Sequence, residues 1–231
     1  MNKELFTLLT KVDTPTVSNA IEVALGQRGY NNFTKGTMFC SNIKVGPIVG
    51  FAKTASIAAS RAPQDSPEVI KERRMNYYRH MSEDPKPSIA VVEDLDYPNC
   101  IGAFWGEVNT NVHKSLGVSG ALTNGVMRDL GDLPDGFPVI AGSIGPSHMF
   151  THVKSIGEGA DIFGMKVVEG ELIHADQHGA IIIPNDVISN LYAAINTLLE
   201  TEKIILEPSK KGPMSFEDFQ KVWSKFEASR T

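Results

Sequence analysis

The sequence contains Gly117-Val-Ser-Gly-Ala-Leu-Thr-Asn-Gly-Val-Met-Arg128-Asp129, preceded at a short distance by Gly102-Ala-Phe-Trp-Gly-Glu107. The small and apolar residues after Gly117 predict a buried strand that continues to about Thr123, and residues 107–116 predict a helix before it. A buried strand needs no charges to fold, so the acid before it and the cation and acid after it are better explained by a ligand. This stretch therefore predicts a site at the ends of one buried strand.

The residues upstream predict one amphipathic helix followed by strands. Thr14-Pro15 has the form of a helix start, with Thr14 as the N-cap, and apolar residues at helical spacing follow as far as Gly26. Residues 43–60 are mostly Ile, Val, Gly, Ala and Thr, which predicts strands interrupted at Gly46-Pro47 and at Gly50.

Further short strands are expected at residues 88–94, 101–106, 138–142 and 179–184, and a strand pair broken by Gly170 at 165–173. Asn185 is predicted to cap a helix that continues to about Lys203. After a linker at 208–213, Ser215 and Asp218 resemble a capping box. The helix that they begin has one apolar stripe, consisting of Phe216, Phe219, Val222, Trp223 and Phe226. Docking of this stripe on the chain's own core and packing on a neighbouring subunit both remain open.

Strands outnumber helices in this pattern, which predicts one compact mixed α+β domain rather than a regular βαβ alternation. We assign residues 1–203 to this domain and residues 204–231 to a linker and an amphipathic C-terminal helix. Residues 61–87 differ in character, because four prolines flank a charged helix from Glu68 to Met81. We interpret this segment as an inserted helix that is either solvated or acts as a lid or subunit contact through Tyr77, Tyr78 and His80.

The composition excludes several classes of protein. The 231 residues are 42% hydrophobic and carry a net charge of −5, so a basic footprint for nucleic acid is missing. The two cysteines, Cys40 and Cys100, have no metal-ligand spacing and are expected to be free thiols in a reducing compartment. No segment approaches the roughly 18 apolar residues of a membrane span, and the N-terminus has no apolar signal region, so we expect a cytoplasmic protein.

Most familiar motifs are absent from the sequence. The glycines of residues 102–106 do not form a dinucleotide fingerprint, and there is no Walker motif, His-Glu-x-x-His helix or Gly-x-Ser-x-Gly elbow. His148 and His152 have the i,i+4 spacing of a metal site on a helix. The prolines, glycines and aromatic residues around them do not predict a helix, so we do not favour this site.

The set of Glu107, Arg128 and Asp129 is the best candidate for chemistry. Two carboxylates without clustered histidine or cysteine suit a hard cation such as Mg²⁺ or Mn²⁺. An adjacent arginine can bind a substrate carboxylate with its planar fork, and together these groups would stabilise an enolate. On spacing alone, a surface ion pair and a Glu107 favoured by a helix dipole explain the same residues equally well.

The blocks from Gly102 to Glu107 and from Gly117 to Asp129 together resemble the signature of the RraA-like family, which includes the 4-hydroxy-4-methyl-2-oxoglutarate/4-carboxy-4-hydroxy-2-oxoadipate aldolases. Residues 14–20 resemble the N-terminal helix of this family, residues 137–141 its next strand and residues 170–184 its closing hairpin. The resemblance extends from about Thr14 to Lys203. It implies a β/β/α swivelling-domain sandwich, here with a C-terminal helical extension, assembled as homotrimers or homohexamers with active sites between subunits.

The resemblance also implies a divalent-metal class II aldolase that releases pyruvate from a small 2-oxo acid, with oxaloacetate decarboxylation as a second activity. Asp129 would be the direct ligand of Mg²⁺ or Mn²⁺, Glu107 would hold a water on the metal, and Arg128 would bind the substrate. The backbone at Gly106, Val108 and Asn109 would hold the pyruvyl carboxylate at the start of a helix.

The sequence departs from the family pattern at several places. Glu107 stands where the aldolases usually have Asp, which leaves open whether it touches the metal directly, and Asn19 also replaces a usual Asp. Glu200 and Glu202 are candidates for an acid that a neighbouring subunit donates. Two alternatives therefore remain: a non-catalytic regulator that binds a ribonuclease, or an enolate-forming enzyme in which Tyr77, Tyr78 and His80 shape a pocket for a different acid.

Overall fold

The computed structural model describes residues 2–229, so the last two residues of the predicted C-terminal segment lie outside it. Six α-helices occur in these residues: α1 (Lys3–Leu9), α2 (Thr14–Leu25), α3 (Pro67–Ser82), α4 (Glu107–Ser115), α5 (Ile188–Lys210) and α6 (Phe216–Ala228). Eleven strands accompany them: β1 (Phe39–Cys40), β2 (Ile48–Ala58), β3 (Ser88–Asp94), β4 (Ala103–Trp105), β5 (Val118–Met127), β6 (Val139–Ile144), β7 (His152–Ile156), β8 (Ala160–Ile162), β9 (Met165–Val167), β10 (Leu172–Asp176) and β11 (Gly179–Ile183). A 3₁₀ turn at Asn185–Val187 leads into α5.

Nine of these strands form one mixed sheet in the order β1-β6-β5-β3-β2-β10-β11, to which β4 is added beside β5 and β7 beside β2. The central strands β2, β3, β5 and β6 are parallel, whereas β1, β7, β10 and β11 pair antiparallel with their neighbours. The strands β8 and β9 form a separate hairpin. The predicted mixed α+β fold, a curled sheet with helices packed on it, is confirmed.

Three apolar clusters join the layers. In the first, α1, α2 and α5 bury Leu9, Ile21 and Leu191 against β10 and β11. In the second, Ile162 and Met165 of the small hairpin cover the sheet. The third contains α3 and the residues around Trp105. Burial of this apolar surface is the main force that holds a small hairpin and four helices on one sheet.

Several predicted boundaries are wrong in detail. The N-cap of α2 is Asp13, whose carboxylate accepts from the Thr16 amide, whereas the Thr14 hydroxyl contacts His174 Nδ1 at 3.0 Å. No break occurs at Gly50, since β2 continues through this residue. A Cβ atom there would lie 2.9 Å from the Pro87 carbonyl oxygen. This glycine therefore permits close packing of neighbouring backbone rather than a turn.

Other elements are longer than predicted or were not predicted. Strand β5 continues to Met127, and β7 and β8 were missed because residues 152–162 have little apolar alternation. Helix α5 continues past Lys203 to Lys210 and contains Pro208, and Asn185 makes no side-chain cap. In α6 the Ser215 hydroxyl does accept from the Asp218 amide, at 3.1 Å, as predicted.

Helix α3 of the predicted insertion is held on the domain rather than solvated. Tyr77 and Met81 are fully buried in the third cluster, and the face that contains them packs against β7. Helix α6, in contrast, packs on α5 without burying any of its residues, and Phe216 is 70% exposed. Within residues 2–229, no helix is long and apolar enough to cross a membrane.

Candidate active site

The site begins where β5 ends. Arg128 follows the last residue of the strand, and its amide donates to the Trp105 carbonyl at 2.8 Å. This hydrogen bond holds the end of β5 against the end of β4, just before α4 begins. Asp129 has a φ of +54°, in the left-handed region that non-glycine residues seldom adopt and that Asn and Asp tolerate best. A backbone held in this conformation is typical of a site that positions its side chain.

The amino end of α4 lies directly against Asp129. The Glu107 amide donates to Asp129 Oδ2 at 3.1 Å, and this carboxylate caps the helix because Gly106 has no side chain to do so. A Cβ atom at Gly106 would lie 2.5 Å from Asp129 Oδ2 and 2.9 Å from Arg128 Nε. Only glycine therefore permits this approach of the helix start to the Arg-Asp pair.

Arg128 and Asp129 face the same point. Arg128 Nε lies 3.5 Å from Asp129 Oδ2, and each side chain is 32% exposed. The contact lacks hydrogen-bond geometry, and Nε is a buried donor without a partner in the described residues. Among those residues, Asp129 Oδ1 receives no hydrogen bond either. A buried donor without a partner thus lies beside a partly exposed carboxylate, and the unpaired Nε is costly to bury unless a ligand satisfies it.

The first turn of α4 provides two more donors. Neither the Val108 nor the Asn109 amide finds an acceptor in the described residues, as expected for the first N–H groups of a helix. The Asn109 side chain donates to the Phe104 carbonyl at 2.9 Å and accepts from the Tyr78 hydroxyl at 3.1 Å. The amide groups and the helix dipole favour an anion here. The Glu107 side chain is exposed and has no partner in the described part of the chain.

A pocket of about 250 Å³ opens beside these groups. It is lined by Gly106, Val108, Asn109 and Arg128, by Ala103 and Phe104 of β4, by α3, which the sequence had suggested as part of a pocket, and by a segment that the sequence did not connect with the site. Helix α3 contributes Arg74, Tyr77 and Tyr78, the segment leading into β7 contributes His148 and Thr151, and β7 itself contributes His152 and Val153.

His148 and His152 therefore belong to the pocket, although they are not on a helix. Nδ1 of His148 contacts the Met149 carbonyl oxygen at 2.7 Å, and Nδ1 of His152 contacts the Phe150 carbonyl oxygen at 2.8 Å. Because a carbonyl only accepts, Nδ1 of each ring carries the proton and Nε2 is an acceptor when the ring is neutral. Of the predicted residues in α3, His80 is not in the pocket lining, and its Nε2 lies 3.3 Å from Glu169.

Behind the pocket, a buried hydrogen-bonded pair ties α3 to α4. Nδ1 of His113 donates to the Asn109 carbonyl at 2.6 Å, so its Nε2 accepts from the Tyr77 hydroxyl, also at 2.6 Å. Both side chains are fully buried. Burial, which penalises the imidazolium, lowers the pKa of His113 to about 4, so the ring is neutral at pH 7.

The donor set at Asp129 fits a divalent cation that keeps most of its waters. Mg²⁺ in proteins is often held by one or two carboxylates together with substrate oxygens, and the unused Oδ1 of Asp129 with the exposed Glu107 meets that description. Within residues 2–229, no group of three or more His, Cys, Asp or Glu side chains is arranged to hold a metal. Glu200 and Glu202 on α5 have no contact with Arg128 or Asp129 in the described chain.

The sequence from residue 14 to residue 182 matches the family model described as RraA-like, Aldolase/RraA. This match covers most of the chain, and the protein therefore belongs to the RraA-like family. The family includes aldolases as well as RraA proteins. Membership therefore defines the class of protein but not its activity.

Individual relatives are distant. Protein DlpA of Legionella pneumophila is 25% identical over 114 residues, a match that covers 48% of this chain and 18% of DlpA, so the chain matches less than a fifth of that protein. An uncharacterized protein from Pseudomonas syringae pv. tomato has a TM-score of 0.68 at 18% identity, over 100% of this chain and 98% of that one.

Two further solved structures have the same fold. Streptomyces coelicolor RraAS2, described as an unusual member of the RNase ES inhibitor RraA protein family, has a TM-score of 0.64 at 18% identity, over 92% of this chain and 98% of its own. A structure described as a novel cellulase from gut-associated microbes has a TM-score of 0.71 at 17% identity, over 88% and 87%. At such identities the likeness shows the fold alone.

Proposed function

We propose that this protein is a divalent-metal-dependent carbon–carbon lyase of the class II aldolase type. Its substrate is a small 2-oxo dicarboxylic acid, either a 4-hydroxy-2-oxo acid that it cleaves or oxaloacetate that it decarboxylates. Both reactions produce the enolate of pyruvate, so one site serves both. That site needs donors for the pyruvyl carboxylate and positive charge beside the 2-oxo oxygen.

One observation carries the proposal: the Arg-Asp pair meets the start of α4, where Asp129 caps the Glu107 amide and the next two amides remain without an acceptor in the described residues. The Glu107 amide is 3.1 Å from Asp129 Oδ2, and Arg128 Nε is 3.5 Å from the same oxygen. A surface ion pair would need neither the close approach at Gly106 nor the left-handed backbone of Asp129. The arrangement instead places backbone donors and a cation on one small pocket, and the Asp129 carboxylate, which is not in the pocket lining, holds the helix start that forms part of that lining.

The residues divide the work of a retro-aldol cleavage as follows. The amides of Val108 and Asn109 bind the pyruvyl carboxylate, and the Arg128 guanidinium stabilises negative charge that develops on the 2-oxo oxygen. The bond between C3 and C4 breaks, and its electron pair moves into the enolate. The proton of the C4 hydroxyl passes to Glu107, directly or through a water, and the C4 carbon leaves as a carbonyl. The protonated Glu107 then returns a proton, directly or through a water, to C3 of the enolate, which gives pyruvate.

A Mg²⁺ or Mn²⁺ ion held by Asp129, with Glu107 as a second carboxylate, would supply a Lewis acid at the 2-oxo oxygen when bound. Asp129 serves this role better than a residue in an ordinary conformation, because its backbone fixes the direction of the carboxylate. We also propose that the protein assembles as a homotrimer or homohexamer.

The test is pyruvate release from oxaloacetate and from 4-hydroxy-2-oxoglutarate, measured on the full chain after treatment with a chelator and again after addition of Mg²⁺ or Mn²⁺. Asp129→Asn keeps a side chain that tolerates the left-handed backbone but removes the charge. We expect this variant to fold and to lose at least about a hundredfold in kcat/KM. Asp132→Asn is the matched control, because Asp132 is exposed three residues further on.

Full activity of Asp129→Asn, or no pyruvate from either substrate with either metal, would reject the proposal. In the second case the regulator function becomes the better explanation. It is measured separately, as binding of the purified protein to a ribonuclease of the RNase E type. Binding with no pyruvate release would assign this chain to the regulators of its family.

A further inference from the structure

The pocket beside Arg128 extends well beyond the groups needed for a pyruvyl unit. On its other wall, α3 contributes Arg74 and Tyr78, and the start of β7 contributes His152. No carboxylate lines the pocket in the described part of the chain, and two of its side chains are arginines. The side chains that line the pocket are therefore positively charged or neutral, although the whole chain has a net charge of −5.

Arg74 differs from its neighbour on the helix. Arg73 is used by the fold, since its Nη1 lies 2.9 Å from the Asp65 carboxylate and 3.3 Å from the Val153 carbonyl oxygen. Arg74, in contrast, has no ion pair or hydrogen bond with any residue from 2 to 229. A guanidinium at the wall of a pocket without acids is suited to bind a planar anion through two parallel hydrogen bonds.

The wall that contains Arg74 is fixed relative to the pyruvyl end. Tyr77 anchors α3 in the core through its contact with His113 Nε2 at 2.6 Å. The Tyr78 hydroxyl donates to Asn109 Oδ1 at 3.1 Å, and the backbone amide of Asn109 is one of the donors assigned to the pyruvyl carboxylate. Asn109 thus links the wall formed by α3 to the pyruvyl end of the pocket, and the exposed Arg74 side chain belongs to that wall.

We propose that Arg74 binds a second carboxylate, at the far end of the substrate, and that α3 thereby selects 2-oxo diacids over 2-oxo monoacids. The proposal rests on the lyase function for its kinetic form. The predicted binding of a diacid does not require catalysis, because two anion sites in one pocket bind a non-reacting diacid as well.

The kinetic test compares 4-hydroxy-2-oxoglutarate with 4-hydroxy-2-oxopentanoate, which has a methyl group in place of the distal carboxylate. We expect the wild type to prefer the diacid by about tenfold or more in kcat/KM, the size typical of one charge-assisted contact. Arg74→Met should remove that preference by raising KM for the diacid, with little change in kcat and none for the monoacid. Arg79→Met, an exposed arginine of α3 outside the pocket, is the control and should retain the preference.

The binding test uses calorimetry with 2-oxoglutarate and 2-oxopentanoate, with and without Mg²⁺, on the wild type and both variants. The proposal is supported if the wild type binds the diacid more tightly than the monoacid and Arg74→Met abolishes this difference. This holds even if neither hydroxy acid is cleaved, and in that case only the lyase function fails. An equal effect of Arg74→Met on diacid and monoacid, or no effect on either, overturns it. Circular dichroism of both variants establishes that any loss is not due to unfolding.

Discussion

At the scale of single residues, the site depends on how closely two backbone segments, the start of α4 and the end of β5, approach one another. Asp129 accepts the first hydrogen bond of α4 with one carboxylate oxygen and leaves the other unused. The glycine before the helix makes this possible, because any side chain there would occupy the space of the Arg-Asp pair. The position of the Arg-Asp side chains therefore depends directly on the backbone at the start of α4.

Gly106→Ala tests this coupling. The added Cβ would lie 2.5 Å from Asp129 Oδ2, so the Arg-Asp pair must shift, although a φ of −139° is permitted for alanine. We expect kcat/KM for pyruvate release to fall by about a hundredfold, as small displacements in a preorganised site do, with a fall in stability of about 1–2 kcal/mol. Gly131→Ala is the control, because no atom lies within 4 Å of a Cβ there. Equal activities of the two variants would show that the close approach is unimportant.

Glu107 is the second residue to test, because its side chain is exposed and has no partner in the described residues, whereas its backbone amide and carbonyl are both hydrogen-bonded. Removing a group that transfers the proton lowers the rate without affecting the fold. We expect Glu107→Gln to reduce kcat by about a hundredfold with an unchanged melting temperature. Glu107→Asp, which restores the residue usual in the aldolases, should keep at least a tenth of the activity. A fully active Glu107→Gln would remove it from the mechanism.

At the scale of elements, α3 and α4 form one unit through buried polar contacts. Tyr77, His113 and Asn109 join the two helices, and Glu169 holds the end of α3 through His80 at 3.3 Å. Burial alone would raise the pKa of Glu169, but the contact with His80 and hydrogen bonds from Thr54 lower it to about 2, so the carboxylate stays charged. Helix α3 is consequently a fixed wall of the pocket.

The neutral His113 makes stability depend on pH in a defined direction. Its pKa is about 4 in the folded protein and about 6.5 in an unfolded chain, so between these values the unfolded state binds more protons. Stability is therefore fully present above about pH 6.5 and falls as the pH decreases towards 4. We expect His113 to contribute about 2 kcal/mol to the loss between pH 7 and pH 5.

Urea unfolding at the two pH values measures this effect. Burial also lowers the pKa of His174, so the wild type loses stability from both residues. His113→Asn is expected to be less stable than the wild type at pH 7, because the Tyr77 contact is lost, but to show a smaller difference between pH 7 and pH 5. The same difference in variant and wild type would mean that His113 is not the responsible group.

At the scale of the whole molecule, the exposed side chains suggest contacts with other chains. Val108 is 74% exposed at the start of α4, beside the proposed substrate, and Phe216 is 70% exposed on α6. Apolar side chains near a site and along an amphipathic helix favour assembly, because water is removed from them when chains associate.

Sedimentation or light scattering will determine the assembly. We expect a mass of three or six times the 25.2 kDa of one chain. A chain that ends at Gly212 lacks α6, and its mass distinguishes the two roles left open for the apolar stripe. An unchanged assembly indicates that α6 packs on its own α5, and dissociation indicates that it packs on a neighbour. A monomeric wild type would contradict the proposed assembly.

The sequence by itself determined the elements and the chemical groups of the site. Apolar periodicity indicated α2, α4 and most strands of the mixed sheet, although not β1 or β7, and the family resemblance of the two motif blocks indicated that Glu107, Arg128 and Asp129 belong together. These features are local, since they depend on neighbours along the chain and on residues at the two ends of one strand. The continuation of β2 through Gly50 could not be predicted from neighbouring residues, because the glycine is needed for close contact with the backbone of Pro87.

Only the tertiary structure decided what surrounds those groups. It placed Arg74, Tyr78, His148 and His152 beside Arg128, although they are 20 or more residues away along the chain. No pattern in the sequence records such contacts, because they follow from the packing of α3 on β7 and from the path of the segment before that strand. The pyruvyl end of the proposed site could therefore be anticipated from the family resemblance, and Tyr77 and Tyr78 as possible pocket residues from the sequence, whereas the presence of Arg74, His148 and His152 and the absence of His80 required the fold.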